Sequence, residues 1–135
     1  MNMTTVLYEA HSGWRYLVIL VLVLAILRAL WGWLRQGEWS GLDNRLGLIT
    51  TIVIDIQLLL GIVVWIMQQQ WMGFNALAAW EHPVTMFLTA AVAHVTSSRV
   101  KKQTESADKF RTAAIGYLIA GALLALGVAR ITRVV

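Results

Sequence analysis

The sequence predicts an all-α integral membrane protein: a four-helix bundle threaded up-down-up-down, with its amino and carboxyl ends on the outer side (N-out/C-out). Three observations carry that expectation. Four long apolar stretches, residues 14–34, 46–67, 83–98 and 112–129, fill most of the 135-residue chain. Each reaches or approaches the roughly 20 residues that cross a bilayer at about 1.5 Å of rise per residue. The chain is 59% hydrophobic and only 13% charged, against roughly 25% charge in ordinary soluble domains. A single soluble domain of this length could not bury four such helices. Finally, the basic residues flank the apolar stretches instead of forming a patch. That pattern records orientation in a membrane and excludes a nucleic-acid partner.

One membrane domain accounts for the whole length, with almost nothing left for an extramembrane catalytic domain. Short connections make neighbouring helices antiparallel. The chain has no cysteine, which excludes disulfides, thiol catalysis, covalent haem attachment through CxxCH and Cys-ligated iron–sulfur clusters. There is no HExxH, phosphate-binding loop or nucleophile–base pair to suggest a hydrolytic enzyme.

The first stretch reads as a retained span. No Lys or Arg precedes it before Arg15, and no small-x-small cleavage site follows it. The connection after it holds Arg35 and Arg45, with Arg28 just before. The third connection holds Arg99, Lys101, Lys102, Lys109 and Arg111, whereas residues 68–80 have neither Lys nor Arg. The positive-inside rule places the first and third connections in the cytoplasm. Trp14, Trp31, Trp33, Trp65 and Trp80 fall near predicted helix ends, where indole N–H groups stay wet at headgroup level. Trp71 and Phe74 suggest that residues 68–80 lie along the outer surface. Asp43 is placed to cap the second helix. Pro83 suits the first turn of the third, with His82 as its cap. The third stretch is the least apolar, because it contains Thr85, Thr89, His94 and Thr96. On the fourth helix Ala113, Gly116, Ala120 and Gly127 form a small-residue stripe, and Gly121 with Ala125 forms a second small face. Such faces let helix backbones approach closely. Both faces serve ordinary packing within the bundle, or else one of the two contacts another subunit.

Ionisable groups inside a bilayer are costly and mark candidate sites. Counted from the cytoplasmic helix ends at about 1.5 Å per residue, Arg28 lies about 12 Å deep, Asp55 about 16 Å and His94 about 9 Å. These depths overlap within side-chain reach and predict an Arg28–Asp55 ion pair, with Gln57 and His94 as neighbours. That cluster would either fix helix register or form a proton path or ligand pocket. At the outer face Glu9, His11 and Arg15 open the first helix, and Glu81 and His82 open the third. Together they suit a metal ion, a haem edge or a quinone headgroup, or else a hydrogen-bond network with Arg15 balancing Glu81. His82 and His94 stand about 18 Å apart along one helix at about 1.5 Å per residue. They cannot share an iron, so only His11 with His82 could hold haem b.

The runs His11–Arg15 (HSGWR), Asp55–Gly61 (DIQLLLG) and Glu81–His82 resemble a family of small four-helix bacterial membrane proteins, some of them labelled cytochrome-b-like. In that pattern an HSxxRW-type start opens helix one, an HIQLLLG-type run occupies helix two and an EH pair opens helix three. Asp55 stands where the pattern has histidine, which removes one candidate haem ligand. The resemblance implies a multi-pass protein of the bacterial inner (cytoplasmic) membrane. It implies an accessory subunit of a respiratory or photosynthetic electron-transfer complex, such as alternative complex III, bordered by lipid and other membrane subunits. The alternatives are a haem b or quinone-binding redox protein using His11 and His82, and a small proton-coupled transporter or channel using Asp55 and His94.

Overall fold

The computed structural model describes residues 2–69, 72–73 and 77–134. Trp71 and Phe74, expected on the outer surface, lie outside the described residues. Among the described residues there are four α-helices: α1 (Met3–Leu34), α2 (Gly41–Met67), α3 (His82–Lys102) and α4 (Ser106–Val134). A π-helical turn, Leu77–Glu81, leads into α3. The helices form a square. Each packs on its chain neighbours and α4 closes against α1, with α3–α4 the tightest pair and α2–α3 the loosest side.

The helices run past the apolar stretches because local capping extends them. Asn2 accepts a hydrogen bond from Thr5 N at 2.8 Å and starts α1 well before the apolar run. At the other end of α1, Gln36 takes a left-handed φ of 55°, so that Gly37 N reaches Gly32 O at 2.9 Å and closes the last turn. Ser40, not Asp43, is the N-cap of α2. Asp43 sits one turn in and accepts from Ser40 N at 2.9 Å and Ser40 Oγ at 3.0 Å. His82 caps nothing: Glu81 before it already has helical φ and ψ, and the π turn runs into α3 without a break.

Three helices, Met3–Leu34, Gly41–Met67 and Ser106–Ile131, are long and apolar enough to cross a membrane. The chain is accordingly a multi-pass membrane protein. Its outward faces, including Leu20, Leu24 and Leu27 on α1 and Ile52 and Leu59 on α2, are large apolar side chains suited to lipid contact. The fourth helix, α3, is shorter and more polar. Its hydroxyls are satisfied by its own backbone, Thr89 donating to Thr85 O at 3.0 Å and Thr96 to Val92 O at 2.7 Å, a pattern that lets threonine sit in an apolar bundle.

The core is narrow and built of small residues. Val18, Leu22 and Ala25 of α1 meet Val53 and Ile54 of α2, Ala90 and Ala93 of α3, and Ala113 and Ala120 of α4. The small stripe on α4 faces α3: Gly116 lies on Thr96, and Gly127 on Met86 and Thr85. The second small face also works inside the bundle, since Gly121 meets Ile26 and Leu22 of α1. At the end of the bundle carrying the first connection, Phe110 is fully buried against Gly32 and Trp39. Two indoles expected to be wet are bonded internally: Trp14 Nε1 donates to Val53 O at 2.9 Å and Trp65 Nε1 to Ala79 O at 2.7 Å.

Candidate functional site

The four residues expected to form one intramembrane polar cluster divide among three places. Arg28 does not pair with Asp55. Its Nε donates to Asp43 Oδ1 at 2.7 Å and its second nitrogen to Oδ2 at 3.2 Å. The guanidinium also stands over the Phe110 ring, 5.4 Å from its centroid. The reach of a long arginine brings Arg28 to Asp43 as well as toward Asp55, because α2 begins several residues before its apolar run and places Asp43 on the helix. Asp43 is 3% exposed, so this pair is a structural clamp that ties the first turn of α2 to the last third of α1.

Asp55 pairs instead with His94. His94 Nε2 lies 2.8 Å from both carboxylate oxygens. The pair joins the middle of α2 to α3 across the loosest side of the square. Its side chains remain 47% and 54% exposed. Beside it, a groove of about 620 Å³ lies between α2 and α3, lined among others by Thr51, Ser97, Ser98, Lys101 and Tyr117. Sequence reasoning missed this groove. Its signal was present, since His94, Ser97, Ser98 and Lys101 recur at the three-to-four-residue helical spacing on α3. A carboxylate touching an imidazole is an acid–base pair that can hold or pass one proton.

Gln57 faces a different side of α2, toward α1. Its amide donates to His11 O at 2.9 Å, fixing α2 against α1. The expected juxtaposition of the α1 and α3 starts is present there. The His11 and His82 rings are 6.4 Å apart, centroid to centroid, and steeply inclined at 78°. His11 packs directly on the α2 backbone, where a Cβ at Gly61 would stand 2.9 Å from its Cε1. Arg15, one turn along α1, acts electrostatically on both rings. It does not balance Glu81, whose carboxylate is paired with Arg130 of α4. Glu9 is exposed on α1.

Four polar atoms at this end are buried without a hydrogen bond: His11 Nδ1, His82 Nδ1, Arg15 Nε and Gln57 Oε1. Buried polar atoms are normally satisfied, so the arrangement is one that a small polar group would complete. A haem held by both imidazoles needs an open slab for the macrocycle between them. Gly61 and Gln57 fill the flank of His11, so the pair suits a small ligand and not a porphyrin. Among the described residues no group of three or more His, Cys, Asp or Glu is placed to hold a metal ion.

Compared with known family models, curated proteins and solved structures, the chain matches none of them.

Proposed function

We propose that this chain is an accessory subunit of a larger membrane-embedded complex, and that it joins that complex through its α2–α3 face. One observation carries the reading: Asp55 and His94 are half exposed on the α2–α3 side of a bundle whose outward faces are mostly large apolar side chains. An ionisable side chain near the bilayer centre costs about 3 kcal/mol on insertion scales. Lipid tails cannot offset that cost, whereas polar groups or backbone of a neighbouring subunit can. The sequence resemblance points to an electron-transfer complex of the bacterial inner membrane. The loop charges support an orientation with both termini outside and the first and third connections in the cytoplasm.

The test uses the absence of native cysteine. Leu48→Cys on α2 and Val95→Cys on α3 should cross-link to the same partner in native membranes, while Leu27→Cys on α1 should not. The full chain should co-purify with that partner in mild detergent. Purification as a stable monomer, with no cross-link from either face, refutes the reading. A reporter fused to the carboxyl end and active only in the cytosol refutes the orientation.

The groove favours a second reading, in which the Asp55–His94 pair takes up protons from the cytoplasmic side. Proton flux in liposomes that Asp55→Asn and His94→Gln both abolish would support it, and a chain inert in that assay would remove it.

A further inference from the structure

The end of the bundle opposite the groove carries an inference independent of the α2–α3 reading. Three nitrogens near that end are buried without a hydrogen bond: Arg15 Nε and His11 Nδ1 from α1, and His82 Nδ1 from α3, the two imidazole centroids being 6.4 Å apart. Arg15 has one side-chain partner, the neutral Tyr16 hydroxyl at 3.1 Å. Among the described residues no carboxylate pairs with it. Glu81, the nearest acid in the sequence pattern, is taken by Arg130, and Glu9 is exposed. Arginine stays protonated under all ordinary conditions. A guanidinium placed among buried groups in a membrane protein needs a counter-charge, and water supplies none. The two imidazoles add nitrogens that can donate, on rings that gain a proton when an anion arrives.

We propose that His11, Arg15 and His82 form a binding site for a phosphate-type oxyanion. The Arg15 Nε–H and the two imidazole Nδ1–H groups donate to its oxygens. His11 and Arg15 lie about two and three turns in from the start of α1, and His82 opens α3; the Trp65 and Trp80 rings, which mark headgroup level, pair with centroids 5.5 Å apart. That level is within reach of a lipid headgroup, and basic pockets between membrane helices hold such groups. Free phosphate offers the same chemistry. A cation fares worse, because Arg15 repels it and the local carboxylate is already paired.

The experiment uses the full chain in nonionic maltoside micelles, free of phosphate, with ¹⁵N-labelled histidine. The chain has three histidines, so each resonance is separable. Inorganic phosphate, phosphatidylglycerol doped into the micelles, zinc and sodium chloride at matched ionic strength are titrated separately. The expected result is that phosphate, phosphatidylglycerol or both shift His11 and His82, leave His94 in place and raise the thermal midpoint. A response to inorganic phosphate assigns a free anion as a source, and a response confined to phosphatidylglycerol assigns the headgroup. Arg15→Gln should weaken binding by about tenfold, the loss of one charge-assisted hydrogen bond, while Arg35→Gln at the far end should bind as wild type does. Should Arg15→Gln fail to fold, the wild-type titration decides. Shifts produced by zinc but by neither anion, or no shift at all, overturn the proposal. So does undiminished binding in Arg15→Gln.

Discussion

Gly116 tests whether α3 and α4 pack as described. A methyl added at Gly116 would stand 2.5 Å from Thr96 Cγ2 and 2.7 Å from Thr96 Cβ, and closer still to Oγ1. Thr96 cannot swing aside. It is 4% exposed, and its hydroxyl is held by Val92 O at 2.7 Å. Gly116→Ala therefore forces the tightest helix pair of the bundle apart. Overpacking of this kind costs about 1–3 kcal/mol, partly offset by the gain of about 0.8–1 kcal/mol when alanine replaces glycine in a helix. Gly13 supplies the control, because nothing lies within 4 Å of a Cβ placed there. Gly13→Ala keeps the propensity gain and adds no clash. The difference between the two variants isolates the steric cost, about 1–3 kcal/mol. Thr96→Ala removes two of the three colliding atoms and should recover part of it, with a coupling of about 1 kcal/mol in the double-mutant cycle. Reversible unfolding in mixed SDS–maltoside micelles, followed by tryptophan fluorescence, measures all four. If Gly116→Ala and Gly13→Ala agree within about 0.5 kcal/mol and show no coupling to Thr96, the packing of α3 on α4 is wrong.

Three further outcomes are expected. Phe110→Ala empties a fully buried site between Gly32 and Trp39 and should cost about 3–5 kcal/mol in the same unfolding assay. Asp43→Asn removes a buried carboxylate from a pair whose arginine is about one-third exposed and should destabilise the isolated chain by about 1–3 kcal/mol, less than a fully buried pair would lose. Asp55→Asn breaks a half-exposed pair; it should change the isolated chain by no more than about 1 kcal/mol yet abolish partner co-purification. Equal effects of the two Asp→Asn changes on the isolated chain would contradict their different burial. Trp14→Phe removes the donor to Val53 O and should cost about 1 kcal/mol, seen as faster amide exchange next to Val53.

The apolar stretches located the helices because bilayer thickness and helical rise fix a length that no soluble element mimics. Their true ends were harder to see. Asn2, Ser40 and the left-handed Gln36 are local capping choices that hydropathy does not register. Partner choice inside the membrane was legible in part. Depth brought His11 to His82, which stand at the same level although α1 begins two turns earlier, but failed for Arg28. Depth fixes position along a helix and leaves the angle around it free. Arg28 lies on the side of α1 that faces the first turn of α2, where Asp43 waits, while Asp55 points toward α3. The same blindness hid the α2–α3 groove: Thr51, Ser97 and Ser98 look like incidental hydroxyls until two helices bring them together.

The distribution of satisfied and unsatisfied polar groups makes one face of this bundle different from the others. The Thr50, Thr51, Thr89 and Thr96 hydroxyls bond back to their own helices, so their presence demands nothing of the surroundings. Arg28 and Asp43 neutralise each other at the end of the bundle, where Asp43 also holds the start of α2. Asp55 and His94 have each other but keep about half their surface outward. They do so on the side where the helices meet least closely. In water that exposure would be unremarked, because a surface ion pair is nearly neutral in free energy. In a bilayer it is the one place among the described helices where a charged pair and a polar groove share a lipid-facing wall, and a hydrocarbon environment gives no compensating bond. On the proposed reading, the polar neighbour sits at α2–α3 and not at α1 or the outer face of α4. That is why the cross-linking comparison between Val95 and Leu27 discriminates where a whole-protein pull-down would not.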